Sequence, residues 1–226
     1  MFRIGILGAA DIAFNKFIPA LMKVEGVECA GVASNSPDKL KRFVEKYNVH
    51  VYSSYNEVIG DDSVDCVYIP LPPAFHYEWA KKALLAGKHV FLEKPSTTSA
   101  DDTKELVGIA GEKGLVVQEN YMFQFHAQLK EIESFIASDE LGKLRLVRTS
   151  FGFPRRAEGD FRYVKELGGG TMMDNGGYTI KLIDMLLGES MRLVSSQLDY
   201  DEKTGIDIFG TAEFVNDDGV IAQAAF

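Results

Sequence analysis

The sequence predicts an α/β protein: an N-terminal doubly wound parallel sheet, followed by an α+β domain with an open, mainly antiparallel sheet. Three observations predict this. Through about residue 119, short β-branched runs alternate with amphipathic stretches at the spacing of parallel βαβ units. A glycine-containing turn joins the first strand-like run to the first helical one. Beyond Asn120 the strand-like runs lengthen, and the last two flank Asn216-Asp217-Asp218-Gly219, a hairpin-turn signal.

Phe2–Leu7 reads as the first strand, and about a dozen residues from Ala10 as a helix. Val27–Ala33 is the next strand. Pro37–Tyr47 is a charged amphipathic helix with Pro in its first turn, where a missing N–H costs no hydrogen bond. Cys66–Ile69 reads as a strand and Phe75–Leu85 as a helix. His89–Leu92 and Leu115–Val117 are strands bracketing a helix over Asp101–Glu112, which opens on Ser99-x-x-Asp102, a capping-box pattern with Asp in the place of Glu or Gln. Further on, a helix spans about Gln128–Ser138, and strand-like runs cover Leu144–Phe151, Leu193–Tyr200, Asp207–Val215 and Val220–Phe226. A Gly-rich start leads into a helix within Gly168–Leu187. No repeat or low-complexity linker intervenes. Two closely packed domains are therefore expected, residues 1–119 and 120–226, with a cleft between them.

Composition narrows the function. The 226 residues are 46% hydrophobic and 25% charged, as in a globular protein. With 24 basic against 33 acidic residues the formal charge is -9, which repels phosphate backbones and anionic lipid. No apolar run approaches the roughly 20 residues of a membrane helix, and Met1-Phe2-Arg3 leads straight into a strand without a signal-peptide core. These features predict a soluble cytoplasmic protein with neither nucleic-acid nor membrane partners. Cys29 and Cys66 lie in apolar strand-like runs and are expected as buried reduced thiols. The four His and two separated Cys form no ligand-spaced pair, so no metal site is expected.

The first βα turn carries chemistry. Set against the dinucleotide fingerprint G-x-G-x-x-G, it reads Gly8-x-Ala10-x-x-Ala13. Gly8 permits the tight turn, and small residues let a pyrophosphate approach the amides at the helix start. Gly8, Ala9, Ala10, Asp11 and Ile12 are the candidate cofactor contacts; an ordinary tight βα turn is the competing reading, because two of the three glycines are Ala. The second strand ends Ala33-Ser34-Asn35-Ser36, with no carboxylate where NAD sites place one on the ribose. Ser34, Asn35 and Lys39 suit a 2′-phosphate, which favours NADP over NAD, although the Arg expected there is absent. Lys39, Lys41 and Arg42 read equally well as solvated helix charges.

Glu93-Lys94-Pro95 stands at the carboxyl end of a strand, where open α/β sheets bind ligands. Pro70, Leu71, Pro72 and His76 form the preceding βα turn. In the later helix, Asp174 and Tyr178 are four apart and so share a face. That helix begins Gly168-Gly169-Gly170 and contains Gly176-Gly177, at about 1 kcal/mol per internal Gly. Such a run is expected where backbone passes close to another body, such as a cofactor.

Together, the segments GILGAADIA, YIPLPPAFH, AGKHVFLEKP, ENYMFQFHAQ and ELGGGTMMDNGGYTIKLIDMLLG resemble the Gfo/Idh/MocA oxidoreductase family, relatives of glucose–fructose oxidoreductase and inositol dehydrogenase, over essentially the whole chain. The resemblance implies a Rossmann domain, then an α/β domain whose open sheet mediates homodimer or homotetramer contacts. It implies that Lys94 sits by the nicotinamide before a cis peptide bond to Pro95. It adds Pro70, Leu71, Pro72, His76, Glu93, Lys94 and Asn120 to the cofactor set, His76 mainly as support for the turn. Lys94, Tyr178 and Asp174 become the catalytic candidates, and Phe123, Arg162, Asp174 and Tyr178 the substrate contacts. Tyr178 falls where many members carry His and others Tyr. Gln124 stands where some members have Arg, and Phe161 where some have Trp.

The implied reaction is hydride transfer between a nicotinamide and a carbinol or ketone carbon of a sugar, nucleotide-sugar or related cyclic polyol. An alkoxide forms on reduction and needs a proton and a nearby positive charge. A phenol near its ordinary pKa of about 10 is a poor base at neutral pH, and a neighbouring Lys⁺ lowers it. Two alternatives share these residues: trans-dihydrodiol dehydrogenation, and a non-catalytic NADP-binding regulator. Retention of Lys94, Asp174 and Tyr178 argues against the regulator. Family members typically run on for about a hundred residues more, and residues 221–226 read as the interior of a strand. The chain is accordingly expected to be a fragment.

Overall fold

The computed structural model describes every residue except Asp139, Leu141 and Glu189. The chain divides into two compact units, Met1–Asn120 and Tyr121–Phe226.

In the first unit, β1 (Phe2–Leu7), β2 (Val27–Ala33), β3 (Cys66–Ile69), β4 (His89–Glu93) and β5 (Val117–Asn120) form a five-stranded sheet in the order β2-β1-β3-β4-β5. Every pairing in it is parallel. Parallel strands are covered on both faces, so the central ones are apolar throughout: all four residues of β3 are buried. One face packs Leu7, Val67, Ile69 and Leu92 against helices α3 (Tyr55–Gly60), α4 (His76–Leu85) and α5 (Ala100–Lys113). The other packs Ile6, Val32 and Tyr68 against α1 (Ile18–Leu21) and against Phe43 of α2 (Pro37–Tyr47). On α2, Leu40 and Phe43 are buried at helical spacing, and Asn48 closes the helix in the left-handed region, φ 51°. At α5, Ser99 Oγ accepts the Asp102 N–H at 3.4 Å, the cap its sequence predicts.

Three local expectations differ. The helix expected from Ala10 runs over residues 11–21, but Ala13–Phe17 within it is a π-turn that leads into α1. Pro19 cannot donate to a carbonyl one turn back, and the wider turn accommodates its ring. The fifth strand is Val117–Asn120, not Leu115–Val117; its polar end pairs Glu119 with Leu92 and Asn120 with Glu93. Helix α3 goes unforeseen, although Ser54 Oγ caps the Glu57 N–H at 3.1 Å and the Glu57 carboxylate accepts the Ser53 N–H at 2.6 Å. Cys66 is buried as expected, whereas Cys29 is half-buried. Burial pushes the Cys66 thiol up to about 12 and the Cys29 thiol to about 11.

The second unit carries α6 (Ala127–Ala137), β6 (Leu146–Ser150), α7 (Gly177–Leu187), β7 (Arg192–Tyr200), β8 (Asp207–Val215) and β9 (Ile221–Ala225). Its sheet has the order β6-β9-β8-β7. Two of its pairings are antiparallel and the β6–β9 pair is parallel. One face packs Ala212, Ala222, Ala224 and Phe226 against Ile183 of α7. The other carries a polar rung, in which Arg148 Nε donates to Gln223 Oε1 at 2.8 Å and Gln223 Nε2 to Glu213 Oε2 at 2.8 Å. Before α7 stands a second π-turn, Met172–Gly176.

Candidate active site

At the carboxyl edge of the parallel sheet, the Gly8 N–H donates to Ala33 O at 2.9 Å, tying the first turn to the end of β2. Gly8 has φ +123°, and a Cβ placed there would lie 2.8 Å from Leu71 Cδ2. The turn after β3 thus packs on bare backbone at Gly8, whose positive φ makes the tight turn that the first glycine of a dinucleotide loop supplies. Ala9 is buried, Ala10 and Ile12 are half-buried, and Asp11 is exposed. Ser34 Oγ accepts the Ser36 N–H at 3.1 Å, while Asn35 and Lys39 are exposed.

Arg42 is not a solvated helix charge. Its Nη1 lies 2.6 Å from Asp11 Oδ1, its Nη2 donates to Ala9 O at 3.2 Å, and its guanidinium stands 4.6 Å from the Phe14 ring centroid. Helix α2 thereby returns a cation to the first turn. The linear sequence gave no sign of it, because the contact spans the whole βαβ crossover.

Between β3 and β4, His76 is fully buried at the first position of α4. Its Nε2 lies 2.7 Å from Leu71 O and its Nδ1 2.8 Å from Pro95 O. Burial lowers its pKa; the carbonyls of Pro95 and Leu71 and the charge of Glu93 oppose that without overcoming it. The Lys94–Pro95 bond is cis. Beneath it, Glu93 Oε1 accepts from Tyr68 Oη at 2.6 Å and Asn120 Nδ2 at 2.8 Å. Burial and the adjacent carboxylate push the Tyr68 phenol far up, so Tyr68 is a permanent donor. Ser96 N–H donates to Glu119 Oε1 at 2.7 Å. Lys94, half-buried, thus follows a carboxylate fixed from two neighbouring strands. The fold brings together Gly8, Leu71, His76, Glu93, Lys94 and Asn120; Tyr68 belongs to the same set and the sequence reading missed it. Pro70 is buried and Pro72 half-buried in the same turn.

In the second unit, Tyr178 is half-buried within an aromatic group, with ring centroids 4.9 Å from Phe151, 5.2 Å from Tyr121 and 5.8 Å from Phe123. A side chain at Gly177 would strike the Tyr121 hydroxyl, so the close body at that glycine is Tyr121. Asp174 is held by a neighbouring arginine. Arg162 Nε donates to its Oδ2 at 2.7 Å, and Arg162 Nη1 lies 3.2 Å from Asp160 Oδ1. Burial works against the guanidinium charge, but Asp174 and Asp160 outweigh it and raise the pKa further. Asp174 lies in the π-turn and Tyr178 in the first turn of α7. A cavity of about 450 Å³ is lined by Phe153, Arg155, Arg162, Asp174, Asn175 and Asp207 among others. Among the described residues, no three His, Cys, Asp or Glu side chains converge as metal ligands. No helix among them is long and apolar enough to cross a membrane.

Comparison with known proteins agrees with this architecture. Residues 2–121 match the model of an oxidoreductase family with an NAD-binding Rossmann fold, and residues 129–226 match the GFO/IDH/MocA C-terminal domain. A dTDP-3,4-didehydro-2,6-dideoxy-alpha-D-glucose 3-reductase of Actinomadura kijaniata is 36% identical over 99% of this chain and 68% of its own length. The enzyme of the same name from Streptomyces violaceoruber is 38% identical over 99% of this chain and 66% of its own. A D-xylose 1-dehydrogenase (NADP(+)) of Haloferax volcanii is 33% identical over 97% and 67%. Among solved structures, the A. kijaniata 3-ketoreductase in complex with NADP and TDP-benzene superposes with TM-score 0.96, covering 100% of this chain and 69% of that one. With a parallel Rossmann sheet, a mixed second sheet and both family domains matched in order, the chain belongs to the Gfo/Idh/MocA family of oxidoreductases.

Proposed function

We propose that this protein is a cytoplasmic, NADP(H)-dependent oxidoreductase that transfers hydride to or from a ring carbon of a sugar, with a nucleotide-linked keto sugar as the preferred substrate. The observation that carries this reading is the TM-score of 0.96, over the whole chain, to a 3-ketoreductase crystallised with NADP and TDP-benzene. The cofactor fits the residues present: Gly8, at φ +123°, allows the tight first turn, and Ser34 and Lys39 supply a hydroxyl and a cation without a competing carboxylate. Bound NADPH supplies the hydride.

The chain's own groups manage the proton and the orientation. When a ketone is reduced, Tyr178 Oη donates a proton to the alkoxide oxygen, and the Lys94 ammonium supplies the positive charge that the alkoxide needs as it forms. Glu93, fixed by Tyr68 and Asn120, holds the strand end that bears Lys94. Asp174, oriented by Arg162, accepts a substrate hydroxyl. Phe123 borders Tyr178 and supplies an apolar wall. The second-domain sheet, with Leu146, Phe209 and Ile221 exposed on its strands, is the proposed homodimer or homotetramer contact. Light scattering of the purified protein tests that part.

The activity test is direct. NADPH and NADH are compared by thermal shift, and NADP(H)-linked turnover is measured with a dTDP-linked 3-keto sugar, D-xylose and a trans-dihydrodiol. Reduction of the keto sugar with the highest kcat/KM is the expected result. A higher value for D-xylose or the dihydrodiol reassigns the substrate, and NADPH binding without turnover of any of the three overturns the enzymatic reading.

A further inference from the structure

We propose that His76 is a positioning residue for Lys94: its bond to Pro95 O sets the lysine-bearing turn in register with the cofactor turn. The inference rests on the reading of Lys94 as the group beside the reacting carbon.

The geometry is specific. His76 is fully buried and lies against two carbonyls from different turns, Leu71 O at 2.7 Å and Pro95 O at 2.8 Å. Leu71 in turn packs on Gly8, close enough that a Cβ there would come within 2.8 Å of its Cδ2. A continuous chain of contacts therefore runs from the nucleotide turn through Leu71 and His76 to Pro95 and the peptide of Lys94. The other side of the lysine turn is anchored separately, through Glu93 to Tyr68 and Asn120 and through Ser96 to Glu119. Those anchors fix the turn to the sheet; His76 fixes it to the cofactor loop. Of its two contacts, the one to Pro95 is the operative tie. Leu71 lies five residues away on the same turn-and-helix segment, and its packing on Gly8 holds it independently. A displacement of about 1 Å at a reacting group can cost roughly a hundredfold in rate. A mobile Lys94 should therefore lower kcat and leave cofactor affinity in place.

Two amides separate the contacts. Asn carries an N–H₂ near the position of imidazole Nδ1, and Gln carries one near Nε2. The neutral imidazole carries one N–H, which we place on Nδ1; H76N therefore keeps that donor toward Pro95 O, whereas H76Q presents its donor toward Leu71 O instead. Each variant of the full-length protein is titrated with NADPH by nicotinamide fluorescence, and kcat is measured with the better of the dTDP-linked keto sugar and D-xylose. Turnover is expressed per NADPH-binding molecule, so a smaller folded fraction does not enter the comparison. The expected result is an NADPH Kd within about threefold of wild type for both, a kcat at least about tenfold lower for H76Q, and most of that loss recovered in H76N. Equal kcat losses in the two variants, an unchanged kcat in H76Q, or a loss confined to NADPH affinity would each overturn the proposal. A K94A control separates the two readings: turnover retained in K94A defeats the role of Lys94 itself, whereas an inactive K94A beside an H76Q of normal kcat defeats only the positioning role.

Discussion

Gly8 offers the sharpest test of the nucleotide turn, because backbone and packing both oppose any side chain there. A residue at φ +123° lies in a region that side chains avoid, at a cost on the order of 1–3 kcal/mol. An added methyl would also sit 2.8 Å from Leu71 Cδ2. Leu71 can rotate, but only by moving away from the turn it packs on, and overpacking of this kind adds about 1–3 kcal/mol. Together the two terms, about 2–6 kcal/mol, predict that Gly8→Ala lowers Tm by roughly 4–24 °C in a chain of this length. Gly26 is the internal control. Its φ is +79°, yet nothing lies within 4 Å of a Cβ there, so Gly26→Ala carries the conformational term alone. Differential scanning calorimetry compares the two variants, and nicotinamide fluorescence compares their NADPH affinities. Gly8→Ala should melt well below Gly26→Ala and bind NADPH at least about tenfold more weakly, a difference of about 1.4 kcal/mol. If the two variants melt together and Gly8→Ala binds NADPH like wild type, the argument from the tight turn and its packing on Leu71 is wrong.

Lys94→Ala should abolish turnover while changing NADPH affinity little; wild-type kcat in that variant refutes the proposed proton chemistry. Ser34→Asp places a carboxylate at the end of β2 and should invert the preference from NADPH toward NADH, as read from the ratio of their Kd values. An unchanged ratio removes Ser34 from the 2′-phosphate site. The acid limb of stability reports on Asp61, whose carboxyl is held down to about 2, first by the Tyr52 hydroxyl bonded at 2.6 Å and then by Ser63. Its folded pKa lies below the unfolded value near 3.9, so its contribution is complete above about pH 4 and is lost as pH falls toward 2. Tyr52→Phe should flatten the fall of Tm between pH 4 and 2; an identical slope in that variant refutes the assignment.

How far the fold was legible depended on whether the signal was local. β1, β2, β3, β8 and α2 begin and end where apolar runs and helical periodicity place them. Helix α3 was also legible in principle: Ser54-x-x-Glu57 has the capping-box pattern, Ser54 Oγ accepts the Glu57 N–H, and the Glu57 carboxylate reaches back one residue further, to the Ser53 N–H. The shift of β5 was less accessible. Glu119 and Asn120 look like loop residues, yet the sheet places them where their polar ends are needed, one receiving the Ser96 N–H and the other donating to Glu93. Nothing along the chain marks β6 as the parallel neighbour of β9, because that pairing is settled by how the sheet closes on α7 rather than by either strand.

The candidate site divides in the same way, and the division has a physical origin. Gly8, Lys94 and His76 announce themselves through residue types that a βα turn or a strand end rarely needs for packing. Tyr68 and Arg42 do not, since a tyrosine in a buried strand and an arginine on a charged helix are ordinary there. Their roles arise only when β3 lies beside β4 and α2 folds back on the first turn. Both act by holding a group that the sequence does advertise: Tyr68 holds the carboxylate before Lys94, and Arg42 holds the carbonyl after Gly8. Groups that touch ligands are constrained in residue type and so leave a motif. Groups that orient them are constrained only in position, which different crossovers can satisfy with different side chains. A chemical site is therefore more legible than its support, and substitutions at Tyr68, Arg42 and His76 are where the structure adds most to what the motifs alone imply.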